Sequence, residues 1–456
     1  MISAVSRFNV CCDEASAARL LTAALGTDVP VADASRVVGK LVAAGLATRA
    51  ADTLEPTWFL HPLLKLTSSR LVAPATRDDH DLQDAFVETV ARKCADLAGR
   101  FRGETVGVVD MLGLFKQNMS DALHIALERG KLEAASFLIE GLGLHCRYVG
   151  DVDLLSRILN RALPFFIDVR TGGLRPEFQE VGVRVWDQAI WLTPDWPRHG
   201  DPMRQGRVRL EPPDEDHYAA GLWLRATGHL SYAANAFRKE REAPAPSPRY
   251  APGDLECQLS ETLYDPEAPD SWPAALEECR RSYAARGPND ALGRTWSRIS
   301  EARIRLVMVL NRDDCPIGGE SDLSPCKPVQ ENWAELEEIA AMLREAQSQS
   351  GGQSAENCAQ AAMLWARIML ARGDLTSAIG NFEEGAELMM AMEETSIWNH
   401  YLVFAHSLVR HGWIAKGYEM AVNAFQFAMQ TGDLMLPTRI RQFCQRLEAS
   451  HPELKK

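Results

Sequence analysis

Three stretches of the chain share one spacing, and that spacing restricts the fold more than anything else in it. They are "HYAAGLWLRATGHLSYAANAF" around Gly228, "AAMLWARIMLARGDLTSAIGNF" around Gly373 and "YLVFAHSLVRHGWIAKGYEMA" around Gly412. Seven residues before each glycine stands a small residue (Gly221, Ala366, Ala405), and five after it another (Ala233, Ala378, Gly417). Two antiparallel helices approach closely only where their side chains are small, and a glycine past the last turn ends the first helix. Nine residues after the glycine come Phe237, Phe382 and Ala421, the position that fills the groove toward the next pair. A weaker copy, around Gly130, carries Leu123 where a small residue is expected. The pattern predicts helical hairpins packed in a row.

This spacing resembles the tetratricopeptide repeat, whose period is about 34 residues. Gly373 to Gly412 is 39 residues, so the copies are degenerate. The resemblance implies an all-α, helical-repeat superhelix whose stacked first helices line a groove for partners. By repeat position that groove contains Tyr218, Arg225, Met363, Arg367, His406 and Arg410. Three arginines there, in a chain of net charge -13, point to an acidic or amphipathic peptide. Tyr218, Met363 and Leu402 occupy the lysine position of the chaperone-tail carboxylate clamp, which argues against that ligand.

Residues 1–75 read as a separate unit. "DEASAARLLTAALG" is amphipathic, with Ala17, Leu20, Leu21, Ala24 and Leu25 on one side. "DASRVVGKLVAAGLATRA" opens with an Asp33 or Ser35 cap, carries Val37, Val38, Leu41, Val42 and Leu46 at helical spacing, and ends its helix at Gly45. "LATRAADTLEPTWFLHPLL" follows as two short strands around a polar hairpin. Helix, helix, wing is the winged-helix order. By spacing alone, His61 at the end of the second strand reads as a structural residue.

Directly before a helical array, "LVAAGLATRAADTLEPTWFLHPLLKLTSSRL" is similar to the winged-helix segment of STAND-type signalling ATPases, the NB-ARC and related proteins. The resemblance covers residues 1–75. It implies that His61 reaches the β-phosphate of ADP bound to a nucleotide-binding module and locks a closed state. Pro62 stands where many members have an acidic residue, and no G-x-x-x-x-G-K-[ST] loop occurs. The chain is therefore expected to hold no cofactor itself. ADP or ATP would enter only with a nucleotide-binding module supplied in cis or in trans.

Composition narrows the rest. Net charge -13, with seven basic and six acidic side chains in residues 1–75, disfavours DNA as a partner. The candidate recognition helix, 33–46, offers only Arg36 and Lys40. The ten cysteines form no CxxC pair and read as reduced thiols, with Cys11 and Cys12 at a buried helix edge. No apolar run reaches the ~18 residues of a membrane span, and no signal peptide is visible, so a cytoplasmic protein without a membrane partner is expected. No G-x-S-x-G or HExxH occurs, and His400, His406 and His411, six and five residues apart, do not stack on one helical face. No catalytic or metal-binding residue is assigned. Trp186, Trp191 and Trp196 read as core.

The expected organisation is a winged-helix domain at 1–75, helical repeats at 78–195, a loop at 196–216, and repeats at 217–311 with a proline-rich insertion at 243–273. A flexible loop at 312–330 and tetratricopeptide-like repeats at 331–456 follow. The expected function is a non-catalytic sensor or scaffold that binds a protein or peptide within a signalling ATPase system. The alternative is a winged-helix DNA-binding regulator with a helical sensor.

Overall fold

The computed structural model describes residues 5, 7–8, 11–51, 53–62, 77–101, 104–168, 173–190, 216–226, 229–243, 252–264, 269–310, 333–350, 354–392, 397–430 and 435–455. The chain is an all-α helical-repeat protein with one small sheet near its start, and it divides into two compact units. The expected loop at 312–330, almost all of the one at 196–216, and Gly228, Trp191 and Trp196 lie outside the described residues.

The first unit opens with strand β1 (Cys11–Asp13), helices α1 (Glu14–Leu25) and α2 (Val31–Ala43), and strands β2 (Ala47–Arg49) and β3 (Thr57–Leu60). The sheet is antiparallel in the order β1-β3-β2, with Cys11 opposite Phe59 and Ala47 opposite Leu60. The β2–β3 hairpin lies where the sequence places it. Cys11 and Cys12 are a correction: they form a fully buried strand, not a helix edge. Three residues are too few for alternation to show in a sequence. Asp13 caps α1, its carboxylate accepting from the Ser16 N–H at 2.9 Å and the Ser16 hydroxyl at 2.7 Å. Helix α2 begins at Val31, after Pro30, one turn before the acidic and serine residues expected to cap it.

Helices α3 (Arg77–Arg100), α4 (Thr105–Glu128), α5 (Leu132–Val149), α6 (Val152–Phe166) and α7 (Gln179–Ile190) complete this unit. Helix α3 packs on α1 and α4, and α4 also touches β1. There the Asn118 amide donates to the Cys11 carbonyl at 2.8 Å. Trp186 is fully buried, as expected. A charged cluster fastens the sheet to α3. Lys93, only 4% exposed, lies 2.5 Å from Glu55 in the hairpin and 3.7 Å from Asp13. Arg100 pairs with the other oxygen of Glu55 and with Glu104.

The second unit is a series of antiparallel helix pairs. These are α8 (His217–Ala226) with α9 (Leu230–Glu242), α10 (Asp254–Leu263) with α11 (Trp272–Ala285), and α12 (Ala291–Leu310) with α13 (Trp333–Ser350). Next come α14 (Ala355–Ala371) with α15 (Leu375–Ala391) and α16 (Ile397–Arg410) with α17 (Ile414–Gln430); α18 (Met435–Ser450) packs on α17. First helices of successive pairs touch one another, so α8, α10, α12, α14 and α16 make a row.

The predicted small residues are the crossing points. Gly221, Ala233, Ala366, Ala378, Ala405 and Gly417 are all buried. A Cβ at Gly221 would stand 2.5 Å from the Phe237 ring, so the aromatic nine residues past the corner seats on the glycine of its own hairpin. Phe382 stacks instead on Phe404 of the next pair, with ring centroids 4.3 Å apart. The corners close alike. At Gly373 (φ +81°) the Gly373 N–H reaches Leu370 O at 2.9 Å and the Asp374 N–H reaches Met369 O at 3.0 Å. At Gly412 (φ +84°) the bonds run from Gly412 to Val409 and from Trp413 to Leu408. This double bond pattern satisfies the last carbonyls and needs the left-handed backbone that glycine supplies.

The expected proline-rich insertion at 243–273 is not simply loop. It contains α10, with Leu255, Cys257, Gln258 and Leu259 buried. Its ten residues bury polar and apolar side chains together, which erases the apolar period that marks longer helices. The linker expected at "QSQSGGQS" is likewise shorter, because α13 runs through Ser350.

Candidate functional site

The row of first helices carries a charged cluster in which buried Gln258 and Ser300 hold charged residues that still reach water. On α10, Gln258 and Glu261 are three apart and share a face; on α12, Ser300 and Arg303 do the same. Glu261 accepts from the Ser300 hydroxyl at 2.9 Å and from Arg303 Nη2 at 3.0 Å, tying α10 to α12. From α8, Arg225 Nη1 donates to Gln258 Oε1 at 2.6 Å. Arg303 also lies 5.0 Å from the centre of the Tyr264 ring.

The electrostatics tie these helices to α16, two pairs along. Burial works against ionisation of Glu261, but the charges of Arg303 and Arg225 and the bonds from Arg303 and Ser300 outweigh it and hold its pKa below the usual carboxylate value. Burial lowers the His400 pKa from 6.5 to about 4, and the charge of Arg303 adds to the shift. A charge on α12 is thus felt on α16. Glu261 and Arg303 nevertheless keep 19% and 29% of their side-chain surface exposed. The cluster is closely surrounded yet partly open to water.

Of the six residues expected to line the groove, the structure places Arg225 in this cluster. Tyr218, Met363, Arg367 and His406 are corrected: each is 3–8% exposed and belongs to the packed interior. Tyr218 packs on Phe237 at 5.8 Å between ring centres, and the Met363 side chain lies against Gly385 of α15. His406 stacks on Phe443 of α18 at 4.4 Å. The repeat-position argument assumes that nothing but the next first helix borders these positions; here the second helices and α18 close over them. Arg410 is half-buried at the end of α16. Gln258, Glu261, Ser300 and Arg303 escaped the sequence reading because α10 was read as loop and α12 bears no copy of the glycine-centred pattern; His400 was weighed only as a metal ligand.

His61 lies just beyond β3, exposed, with its backbone N–H donating to Leu46 O at 2.9 Å. Arg36 on α2 pairs with Asp33 in its own helix, and Lys40 is exposed. An open depression lined by His80, Asp81, Gln83, Ile125, Glu128 and Arg129 lies in the first unit. Its arginine is engaged by Asp84 at 2.8 Å and His80 at 3.0 Å. Among the described residues no group of three or more His, Cys, Asp or Glu side chains is placed to hold a metal. The described cysteines are free, and burial raises the pKa of Cys11 and Cys279 to about 12, so they stay as thiols. Among the described residues no helix is long and apolar enough to cross a membrane.

No protein-family model matches the chain, and no curated protein does. Among solved structures it is similar to a circular tandem repeat protein with novel repeat topology and enhanced subunit contact surfaces, at 13% identity, over 99% of this chain and 96% of that one. The TM-score is 0.16, too low to bear on fold or function.

Proposed function

We propose that the chain is a non-catalytic, cytoplasmic scaffold or sensor that binds a protein or peptide along the row of first helices in its second unit. One observation carries this reading: α8, α10 and α12 bring Arg225, Glu261 and Arg303 together on a face that remains open to water. Helical rows of this kind present long surfaces suited to extended partners.

The finer reading places the array behind a winged helix in a STAND-like signalling system. The β1-β3-β2 sheet, with two helices between β1 and β2, supports a winged-helix assignment. The exposed position of His61 is compatible with a contact to nucleotide held by a separate module. The chain itself binds no cofactor in this reading. Occupancy of the array would shift its packing and be relayed to such a module, in cis or in trans. DNA reading gains no support, since Arg36 is spent on Asp33.

The test is site-specific photo-crosslinking in the full chain. A photoreactive side chain at Tyr264, beside Arg303, is compared with one at Tyr232, which is 69% exposed on a second helix. The expected result is one protein captured from position 264 and absent at 232. Equal capture at both positions, or none at 264, would reject the binding face.

A further inference from the structure

The charges of the first-helix cluster do not cancel. Among the described residues Arg303 pairs with one carboxylate, Glu261, which also lies in the field of the Arg225 guanidinium, while His400 is neutral near pH 7. Their donors are not used up either. Arg303 Nε is buried without an acceptor, and Arg225 makes one side-chain bond among the described residues, to Gln258. A guanidinium carries five donors in a rigid fork that fits a carboxylate. In partly dehydrated surroundings the unused donors favour a charged acceptor over a neutral one.

We propose that Arg225 and Arg303 form a seat for an acidic side chain on a segment of a partner protein, with Glu261 as the internal carboxylate that competes for it. This deepens the binding reading above and rests on it. Glu261, itself held by the Ser300 hydroxyl, fixes the orientation of Arg303 in the free protein, while Gln258 holds Arg225. An incoming carboxylate takes donors that Arg225 leaves unused and meets the exposed part of Arg303, and the surplus positive charge is neutralised. The overall charge of -13 makes this a local positive point on an acidic molecule, which suits one acidic residue at a fixed position better than a polyanion. Nucleic acid is the less suitable anion, because two guanidiniums cannot follow a phosphate backbone.

The test is fluorescence anisotropy with the full chain and a labelled short oligoglutamate, with oligoglutamine and oligothymidylate as comparison probes. Oligoglutamate is expected to bind and oligoglutamine is not. Arg225→Gln with Arg303→Gln is expected to weaken binding at least about ten-fold. Glu261→Gln is expected to strengthen it several-fold, by removing the competitor. Opposite signs separate this role from a folding defect, which would weaken binding in both. Absence of oligoglutamate binding, equal binding of oligothymidylate, or weakening by Glu261→Gln would overturn the proposal. Capture from position 264 without oligoglutamate binding would sink the acidic seat and leave the binding face standing; loss of both would sink both.

Discussion

Gly417 on α17 lies directly against the backbone of α16: a Cβ there would stand 2.8 Å from the Ala405 carbonyl oxygen and 2.6 Å from Val409 Cγ2. Backbone cannot yield as a flexible side chain can. Gly417→Ala is expected to destabilise the second unit by about 1–3 kcal/mol through overpacking. Gly380, inside α15, has nothing within 4 Å of where its Cβ would be. Gly380→Ala is expected to be stabilising by about 0.5–1 kcal/mol, from helix propensity alone. Urea unfolding of the two variants should shift in opposite directions.

Lys93 sits between Asp13 and Glu55 with 5% of its side chain exposed. Lys93→Met keeps the volume but takes the shared cation from two carboxylates, leaving Arg100 as the cation paired with Glu55 among the described residues. A loss of about 3–5 kcal/mol is expected, the usual cost of breaking a buried pair on one side. Hydrogen exchange should speed up in β1, β3 and α1 before the rest of the first unit. The exposed pair Arg36–Asp33 offers the contrast: Arg36→Ala is expected to change stability by no more than about 1 kcal/mol.

Arg286 is a fork in use at every prong. It donates 2.7 Å bonds to Asp254 and Asp290 and a 3.2 Å bond to Ser297, joining α10, the turn before α12, and α12 itself. Arg286→Lys keeps the charge but cannot span all three acceptors. It should cost about 1–3 kcal/mol in urea unfolding, the price of leaving the buried Asp290 underbonded.

His400 gives a pH dependence with a definite sign. Its folded pKa is about 4 against 6.5 for the free imidazole, so between those values the unfolded chain binds a proton that the folded chain does not. Its full share of stability is present above pH 6.5 and is lost as pH falls toward 4. The loss should reach about 2–3 kcal/mol. His400→Gln should flatten the stability profile over that window, and leave the stability at pH 8 nearly as it was.

The array was legible because its crossings are chemical. Gly221, Ala366, Ala378, Ala405 and Gly417 can be read from a sequence, since a large residue at such a contact would force helices apart. Their burial in the structure follows directly. The floor of the first-helix row was not legible. Whether Met363 or His406 meets water depends on which other helix covers it, and the covering residues, Gly385 and Phe443, lie 22 and 37 positions farther on. The Glu261–Arg303 contact spans 42 positions and rests on α10, a ten-residue helix with buried glutamine and serine. Strand β1 was hidden for a different reason: it exists only through pairing with β3, 46 residues later at the Cys12–Trp58 step.

A helix end that closes on its own carbonyls asks nothing of what comes next. At Gly130, Gly373 and Gly412 the terminal bonds are internal to each corner, so the following helix can start at once or after a detour without stranding a peptide group. Modules built this way can be duplicated, dropped or lengthened one at a time, which is how a chain can keep recurring corners while the distances between them drift.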